Sequence, residues 1–285
     1  MAGKLAGLLF AVALTAAHHA VAASSVPEPV IIDTDVGDDI DDAFALAIAL
    51  HDPRLQVIGV TTAWGDTWTR TLLVRRLLAT LGRKDVVVAQ GPKTPNNVPF
   101  TQKKWAESAT DRTPPPDAIE FIRDQVNQRP GQITLIALAP LSNIEALQKQ
   151  APDALHKLKQ VALMGGSIYA GYNLGGAVPV ASPNAEYNIA SAPRGLTLLL
   201  ESGVPVRMFP LDSTQVKFDE VRRDRLFAYG SRRTSSNLIC VESRGNILTG
   251  TPDSSSSVSP RGAEAMLYSA LGLATGTAPP RLYPA

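Results

Sequence analysis

The chain of 285 residues is long enough to bury a large α/β core, and at 45% hydrophobic and 19% charged it has the composition of an ordinary globular protein. With 27 basic against 26 acidic residues, net charge makes no electrostatic case for nucleic acid or an acidic membrane as a partner. The single cysteine, Cys240, excludes an internal disulfide framework and a cysteine-rich zinc site.

At the N-terminus Lys4 precedes an apolar run from Leu5 to Ala17, and small residues follow at Ala20, Val21, Ala22 and Ala23. A basic start, an apolar centre and an Ala-x-Ala exit make the pattern of a secretory signal peptide, expected over residues 1–23. The run is too short for a comfortable membrane span. The expectation is export to a periplasm or the exterior, with no membrane attachment of the mature form.

One α/β domain is expected over residues 28–230. Residues 30–34 read as a strand, 41–50 as a helix, 57–63 as a strand, 68–81 as a helix and 86–89 as a short strand. A loop with Pro and Asn, 91–116, leads to a helix over 117–127. Residues 133–139 read as a strand, Ser142 as the cap of a helix to 149, and 161–164 as a strand ending at Gly165-Gly166. A Gly/Pro-rich loop, 171–183, precedes a helix at 193–201 and a strand at 204–209. Strands without strict alternation, separated by amphipathic helices, imply an α/β fold with a mainly parallel central sheet, helices on both faces and a Rossmann-like core. In such sheets ligands bind outside the carboxyl ends of the strands. From Gly230 onward the rhythm is lost, every basic residue is Arg and serine is abundant. Residues 231–285 therefore read as an atypical C-terminal region, which disorder, an irregular cap or a shifted reading frame would explain.

The stretch DTDVGDDIDDAF, residues 33–44, concentrates six carboxylates. The strand delivers Asp33 and Asp35, Gly37 lets the backbone turn, and Asp38 or Asp39 is placed to cap the helix. Asp41 and Asp42 then fall in its first turn. Ile40, Ala43, Phe44, Ala47 and Ile48 follow i, i+3, i+4 spacing and predict its buried stripe. Capping and the helix dipole, at roughly 0.3–1 kcal/mol each, account for one or two of the carboxylates. They do not account for Asp33 and Asp35 at the end of a mostly buried strand. Close carboxylates repel and take up protons unless a cation is present, and a hard divalent ion with oxygen ligands resolves the conflict. An EF-hand loop is excluded, because its glycine and terminal Glu fall elsewhere.

The segment DTDVGDDIDDAFAL resembles the signature of the inosine/uridine-preferring nucleoside hydrolases. The resemblance continues, in order, through VIGVTTAWGDT (57–67), ITLIALAPLSNIEAL (133–147), VALMGG (161–166), SPNAEYNI (182–189) and MFPLDST (208–214), and covers about residues 30–231. It implies calcium-dependent hydrolysis of the N-glycosidic bond of ribonucleosides by a homo-oligomer, commonly a dimer or tetramer. By position it makes Asp35 and Asp42 calcium ligands, together with the backbone carbonyl of Leu138. Asp35 would also take a proton from the attacking water, and Asp41 would bind the ribose hydroxyls. Glu186 and Asn188 would hold the sugar, with Met164 packed against it. Read without the resemblance, Glu186 and Asn188 are equally loop residues, Met164 is core filler, and Asp66 and Asp212 are caps or turn residues. Trp64 and Trp68 suit either a base pocket or buried packing.

The family also carries a calcium-ligating aspartate near the C-terminus, often after a histidine. Here no histidine follows His156, and Asp253 is the only acidic residue near a suitable place. That departure keeps a second reading open, a catalytically impaired nucleoside-binding relic. A third, a haloacid-dehalogenase-type phosphatase, rests on DTDVG alone and leaves DDIDD unexplained. Purine or pyrimidine preference is not legible.

Overall fold

The strand β1 (Glu28–Thr34) buries its last five residues completely, because parallel partners flank it on both sides: β2 (Leu55–Thr62) and β4 (Thr134–Ala137). In the computed structural model, which describes residues 26–172 and 182–214, β3 (Val87–Gln90), β5 (Gln160–Met164) and β6 (Val206–Phe209) complete the sheet. Its order is β3-β2-β1-β4-β5-β6, parallel throughout. Helices cover both faces. On one, α1 (Asp41–His51), α2 (Thr67–Thr80) and α3 (Lys103–Glu107) pack with Ile32, Val60 and Ile136. On the other, α4 (Ala118–Gln128), α5 (Ser142–Gln150), α6 (Tyr187–Ser191) and α7 (Pro193–Glu201) pack with Ile31, Leu135 and Leu163. Neighbouring Ile31 and Ile32 thus enter opposite layers, as the strand period of two requires. The expected α/β architecture is the one found.

The chain winds from β1 outward through β2 to β3, then returns to the other side of β1 for β4, β5 and β6. The order therefore reverses between β1 and β4, and the crevice beyond their carboxyl ends is where such sheets place ligands. The register puts Asp33 beside Ala137, and Leu138 N–H donates to the Asp33 carbonyl at 2.8 Å. Asp35 and Leu138 consequently leave the sheet together at that reversal.

Several local expectations change. The loop over 91–116 contains α3, and a further helix, α6, starts directly after the Gly/Pro-rich loop. Neither Asp38 nor Asp39 caps α1; Ile40 holds that position and makes no side-chain cap bond. Its deepest face comprises Asp42, Ala43, Ala45, Leu46, Ala49 and Leu50, whereas Ile40, Ala47 and Ile48 are only partly buried. The helix is apolar on nearly every side, so residue spacing alone cannot choose its inner face. Ser142 is the first residue of α5, not its cap, which is Leu141.

The expected leader 1–23 and C-terminal region 231–285, with Cys240 and Asp253, lie outside the described residues. Among the described residues no helix is long and apolar enough to cross a membrane.

Candidate active site

The aspartate loop runs from the end of β1 to the start of α1. Thr34 Oγ1 donates to Asp42 Oδ2 at 2.5 Å and accepts from Val36 N–H at 3.1 Å, so the last strand residue pins both the turn and the helix start. Asp41 accepts from the Asp42 N–H at 2.8 Å. Gly37 sits at φ 131°, and a Cβ there would lie 2.3 Å from Phe100 Cζ, so only glycine lets the loop pass under that ring. Asp33 points away from the loop and is held by Thr61 Oγ1 at 2.5 Å and Asn143 Nδ2 at 2.7 Å.

Burial raises the Asp35 carboxyl well above its ordinary range, and the charges of Asp42, Asp39 and Asp38 push it further while Arg70 opposes them. Burial likewise raises Asp41, helped by Asp39 and Asp42. Asp42 is pushed up to about 7, mainly by burial, against the opposing Thr34 hydrogen bond. Asp33 reaches about 6, again through burial. The acidic loop therefore holds protons that water-exposed carboxylates would release.

One cation lies behind it. Arg70 is fully buried and donates to the Trp64 carbonyl at 2.8 Å, the Val36 carbonyl at 3.1 Å, the Asp35 carbonyl and Asp38 Oδ2 at 2.9 Å. Its guanidinium stands 5.2 Å from the Phe100 ring centroid. Trp64 adopts φ 62°, a left-handed conformation that costs a non-glycine residue roughly 1–2 kcal/mol, and the Arg70 bond to its carbonyl helps hold it there. The segment around Asn96–Gln102 lies across the loop: Thr101 Oγ1 donates to the Asp38 carbonyl at 2.9 Å and Gln102 Nε2 to the Asp39 carbonyl.

The residues assigned to the sugar gather at the ends of β4 and β5. Asn188 Nδ2 donates to the Leu138 carbonyl at 2.6 Å and the Met164 carbonyl at 3.1 Å. Glu186 caps α6, accepting from Asn188 N–H at 2.9 Å and Ile189 N–H at 3.1 Å, and it also accepts from Gly166 N–H at 3.0 Å. Leu138, Met164, Glu186 and Asn188 thus form one cluster, and Asp35, Asp41 and Asp42 another. Tyr187, between Glu186 and Asn188, donates to Asn96 Oδ1 at 3.2 Å, and Asn96 Nδ2 donates to Asp38 of the acidic loop at 2.9 Å, so the two clusters are neighbours. Asp66 caps α2 through Thr69 N–H and Oγ1, at 3.2 and 2.8 Å, and Trp68 packs against the core. Asp212 accepts from the N–H groups of Ile168, Tyr169 and Ala170 at 2.8, 2.9 and 3.0 Å, which makes it a turn residue.

Two carboxylates and a carbonyl are hard oxygen donors of the kind calcium takes, and the raised carboxyls of Asp35 and Asp42 mark an unmet demand for positive charge. The Leu138 oxygen keeps a second lone pair beside its bond to Asn188. The donor set fits such an ion in kind but not in number, since calcium takes about 6–8 oxygens. Among the described residues no three His, Cys, Asp or Glu side chains converge on a metal position.

Sequence reasoning missed Arg70, Asn96 and Tyr187. Arg70 did leave a signal: with Leu73, Val74, Leu77 and Leu78 it forms an i, i+3, i+4, i+7, i+8 stripe, and an arginine within an apolar stripe marks a buried countercharge. Tyr187 lies in the segment SPNAEYNI, where only its neighbours Glu186 and Asn188 stood out, and Asn96 left no signal.

A parallel sheet with an acidic loop at its reversal point defines an α/β protein whose polar groups gather where such sheets place ligands. Residues 30–262 match the profile of the inosine-uridine preferring nucleoside hydrolases, and the chain belongs to that family. The match runs past residue 231, where the recognisable motifs end. Over 231 residues the chain is 31% identical to a probable uridine nucleosidase 2 of Oryza sativa subsp. japonica, covering 75% of this chain and 65% of that protein. It is also 31% identical, over 213 residues, to the pyrimidine-specific ribonucleoside hydrolase RihA of Citrobacter koseri, covering 69% of this chain and 65% of the relative. The chain thus spans just under two thirds of the length of these relatives. Among solved structures, a plant nucleoside hydrolase superimposes with a TM-score of 0.67 at 26% identity, over 85% of this chain and 78% of that one.

Proposed function

We propose that the protein hydrolyses the N-glycosidic bond of ribonucleosides to ribose and free base, with calcium as its ion. The observation that carries this reading is the meeting of two clusters at the sheet's reversal point. One is an electron-rich aspartate loop with raised carboxyls, and the other is the polar group of Leu138, Met164, Glu186 and Asn188.

Each residue type suits its task. Asp41, Glu186 and Asn188 bind the ribose, and Met164 packs against it. The Asp35 carboxylate is the proton acceptor, and burial and the charge of Asp42 raise its basicity in the chain without the ion. The water oxygen joins C1′ of the sugar as the bond from C1′ to the base nitrogen breaks. Asp35 takes the water's proton, and the base leaves with the bonding pair and is then protonated. Positive charge growing on the ribosyl ring is countered by Asp35, Asp41 and Asp42, of which Asp42 is buried and the other two are half-buried. By analogy with other glycoside hydrolases, attack from the face opposite the base inverts the configuration. Calcium held by Asp35, Asp42 and the Leu138 carbonyl would orient the water and lower its pKa.

Ribose release from uridine and inosine, measured with and without a chelator, tests the reading. Uridine comes first because relatives carry that substrate in their names. The expected result is release that chelation abolishes, calcium restores and Asp42→Asn lowers at least 100-fold, on the order of one lost charge-stabilising group. A folded chain that releases ribose from neither nucleoside, with calcium present, overturns it. Retained nucleoside binding in that case identifies an impaired relic.

A further inference from the structure

Five residues close a hydrogen-bonded ring that joins the two halves of the site. Arg70 Nη2 and Asn96 Nδ2 each donate to Asp38 Oδ2 at 2.9 Å. Asn96 Oδ1 accepts from Tyr187 Oη at 3.2 Å, and that hydroxyl accepts from Trp64 Nε1 at 3.0 Å. The Trp64 carbonyl accepts from Arg70 Nε at 2.8 Å and completes the circuit. The Asn96 amide is fixed in orientation, because its oxygen also accepts from Val98 N–H at 3.0 Å.

The helix α6 is capped by Glu186, so the Tyr187 hydroxyl is surplus to that helix. Asn96 belongs to a stretch without regular structure. What the bonds share is their destination. Tyr187 stands between Glu186 and Asn188, and Asp38 lies in the loop between Asp35 and Asp41. Arg70 grips that loop from inside through the Asp35 and Val36 carbonyls. The circuit is part-buried and holds Asp38 through Oδ2 alone, its Oδ1 having no partner, so the members loosen as a unit when one is removed.

We propose that Asn96 and Tyr187 are positioning residues which, through Asp38 and Arg70, set the spacing between the aspartate loop and the Glu186–Asn188 cluster. Neither touches the reacting atoms. Phenylalanine at 187 keeps the ring packed and removes both hydroxyl bonds. Alanine at 96 removes the bridge to Asp38.

The test uses Tyr187→Phe, Asn96→Ala and the double variant in the full chain, with two readouts. Amide hydrogen exchange over residues 35–42 reports the loop directly and needs no activity. Each single variant should speed that exchange several-fold, although Tyr187 belongs to another element. The double variant should do no more than the worse single one, as for members of one network. The second readout, KM and kcat for uridine, rests on the proposed hydrolase activity. There kcat/KM should fall on the order of tenfold in each single variant, again without additivity, as expected for a small misplacement of reacting groups. Unchanged exchange over 35–42 in both single variants overturns the proposal. So do additive effects, and so does altered exchange with KM and kcat untouched in an active enzyme, which would make the ring merely structural. A wild-type chain that releases no ribose refutes the hydrolase reading alone, and the exchange result then decides the ring.

Discussion

Replacing Arg70 by lysine keeps the charge and removes the fork. The guanidinium reaches three carbonyls, of Asp35, Val36 and Trp64, and one carboxylate, of Asp38, from nitrogens pointing in different directions. A lysine ammonium is a single point on a flexible stem and satisfies two of these at best. Hydrogen bonds to charged groups contribute roughly 1.5–3 kcal/mol each. With the two side chains 0% and 11% exposed, solvent neither screens the pair nor replaces the lost bonds. Arg70→Lys should therefore cost about 3–6 kcal/mol, the loss of two such bonds with the charge retained. Urea unfolding reads this as a lower midpoint at unchanged slope. The control is Arg123→Lys, whose pair with Asp124 is 41% and 53% exposed, and it should stay within about 0.5 kcal/mol of wild type. If Arg70→Lys loses no more than that control, the clamp described here does not hold the loop.

Two further outcomes are expected. Asp33 and Asp42 titrate at about 6 and about 7 in the folded chain against 3.8 for a free carboxyl, so from roughly pH 4 to 7 the folded state binds the extra protons and metal-free stability falls as pH rises. The gain in melting temperature from added calcium should accordingly grow between about pH 5 and about pH 8, and a gain flat across that range would show that no cation replaces the Asp42 proton. Asp212→Ala strands the N–H groups of Ile168, Tyr169 and Ala170 and should cost about 1–2 kcal/mol, comparable to a lost helix cap. Asp212→Asn should fall between, and wild-type melting of both variants would refute the turn's dependence on this carboxylate.

The sheet was legible because its strands are buried on both faces. VIID and TLIA read as continuous apolar runs, and the helices between them separate one strand from the next. Fold class alone placed the polar residues at strand ends; it was the family resemblance that joined Asp35 to Leu138, and the pairing of β1 with β4 brings their strand ends together. What periodicity could not reach was any feature decided by a contact distant in sequence. The inner face of α1 was misjudged because apolar residues surround it, and only its packing against the sheet selects Ala45 and Leu46 over Ile48. The helix α6 is five residues long, too short to show a period, and depends on Glu186 as its cap. Arg70 meets Asp38 across 32 positions, and Asn96 meets Tyr187 across 91; no local rule links such pairs.

That distant arginine sharpens the meaning of the acidic loop. If the six carboxylates needed only enough positive charge to fold, Arg70 would be expected among those with the most to gain. It is instead paired with Asp38, to which the family resemblance gives no part in holding ion or sugar. Asp35, Asp41 and Asp42, which that resemblance does employ, form no ion pair with a basic side chain among the described residues, and their carboxyls stay raised. Arg70 makes its hydrogen bond to Asp35 through the backbone carbonyl, and although its charge also favours the Asp35 carboxylate, burial and the neighbouring aspartates outweigh it. The loop is thus organised by one fixed charge on its inner side and left electron-rich on the other. A loop that leaves three carboxylates without an ion-pair partner among the described residues while clamping a neighbour is less stable alone than it could be, the arrangement expected where an exchangeable ion completes the structure.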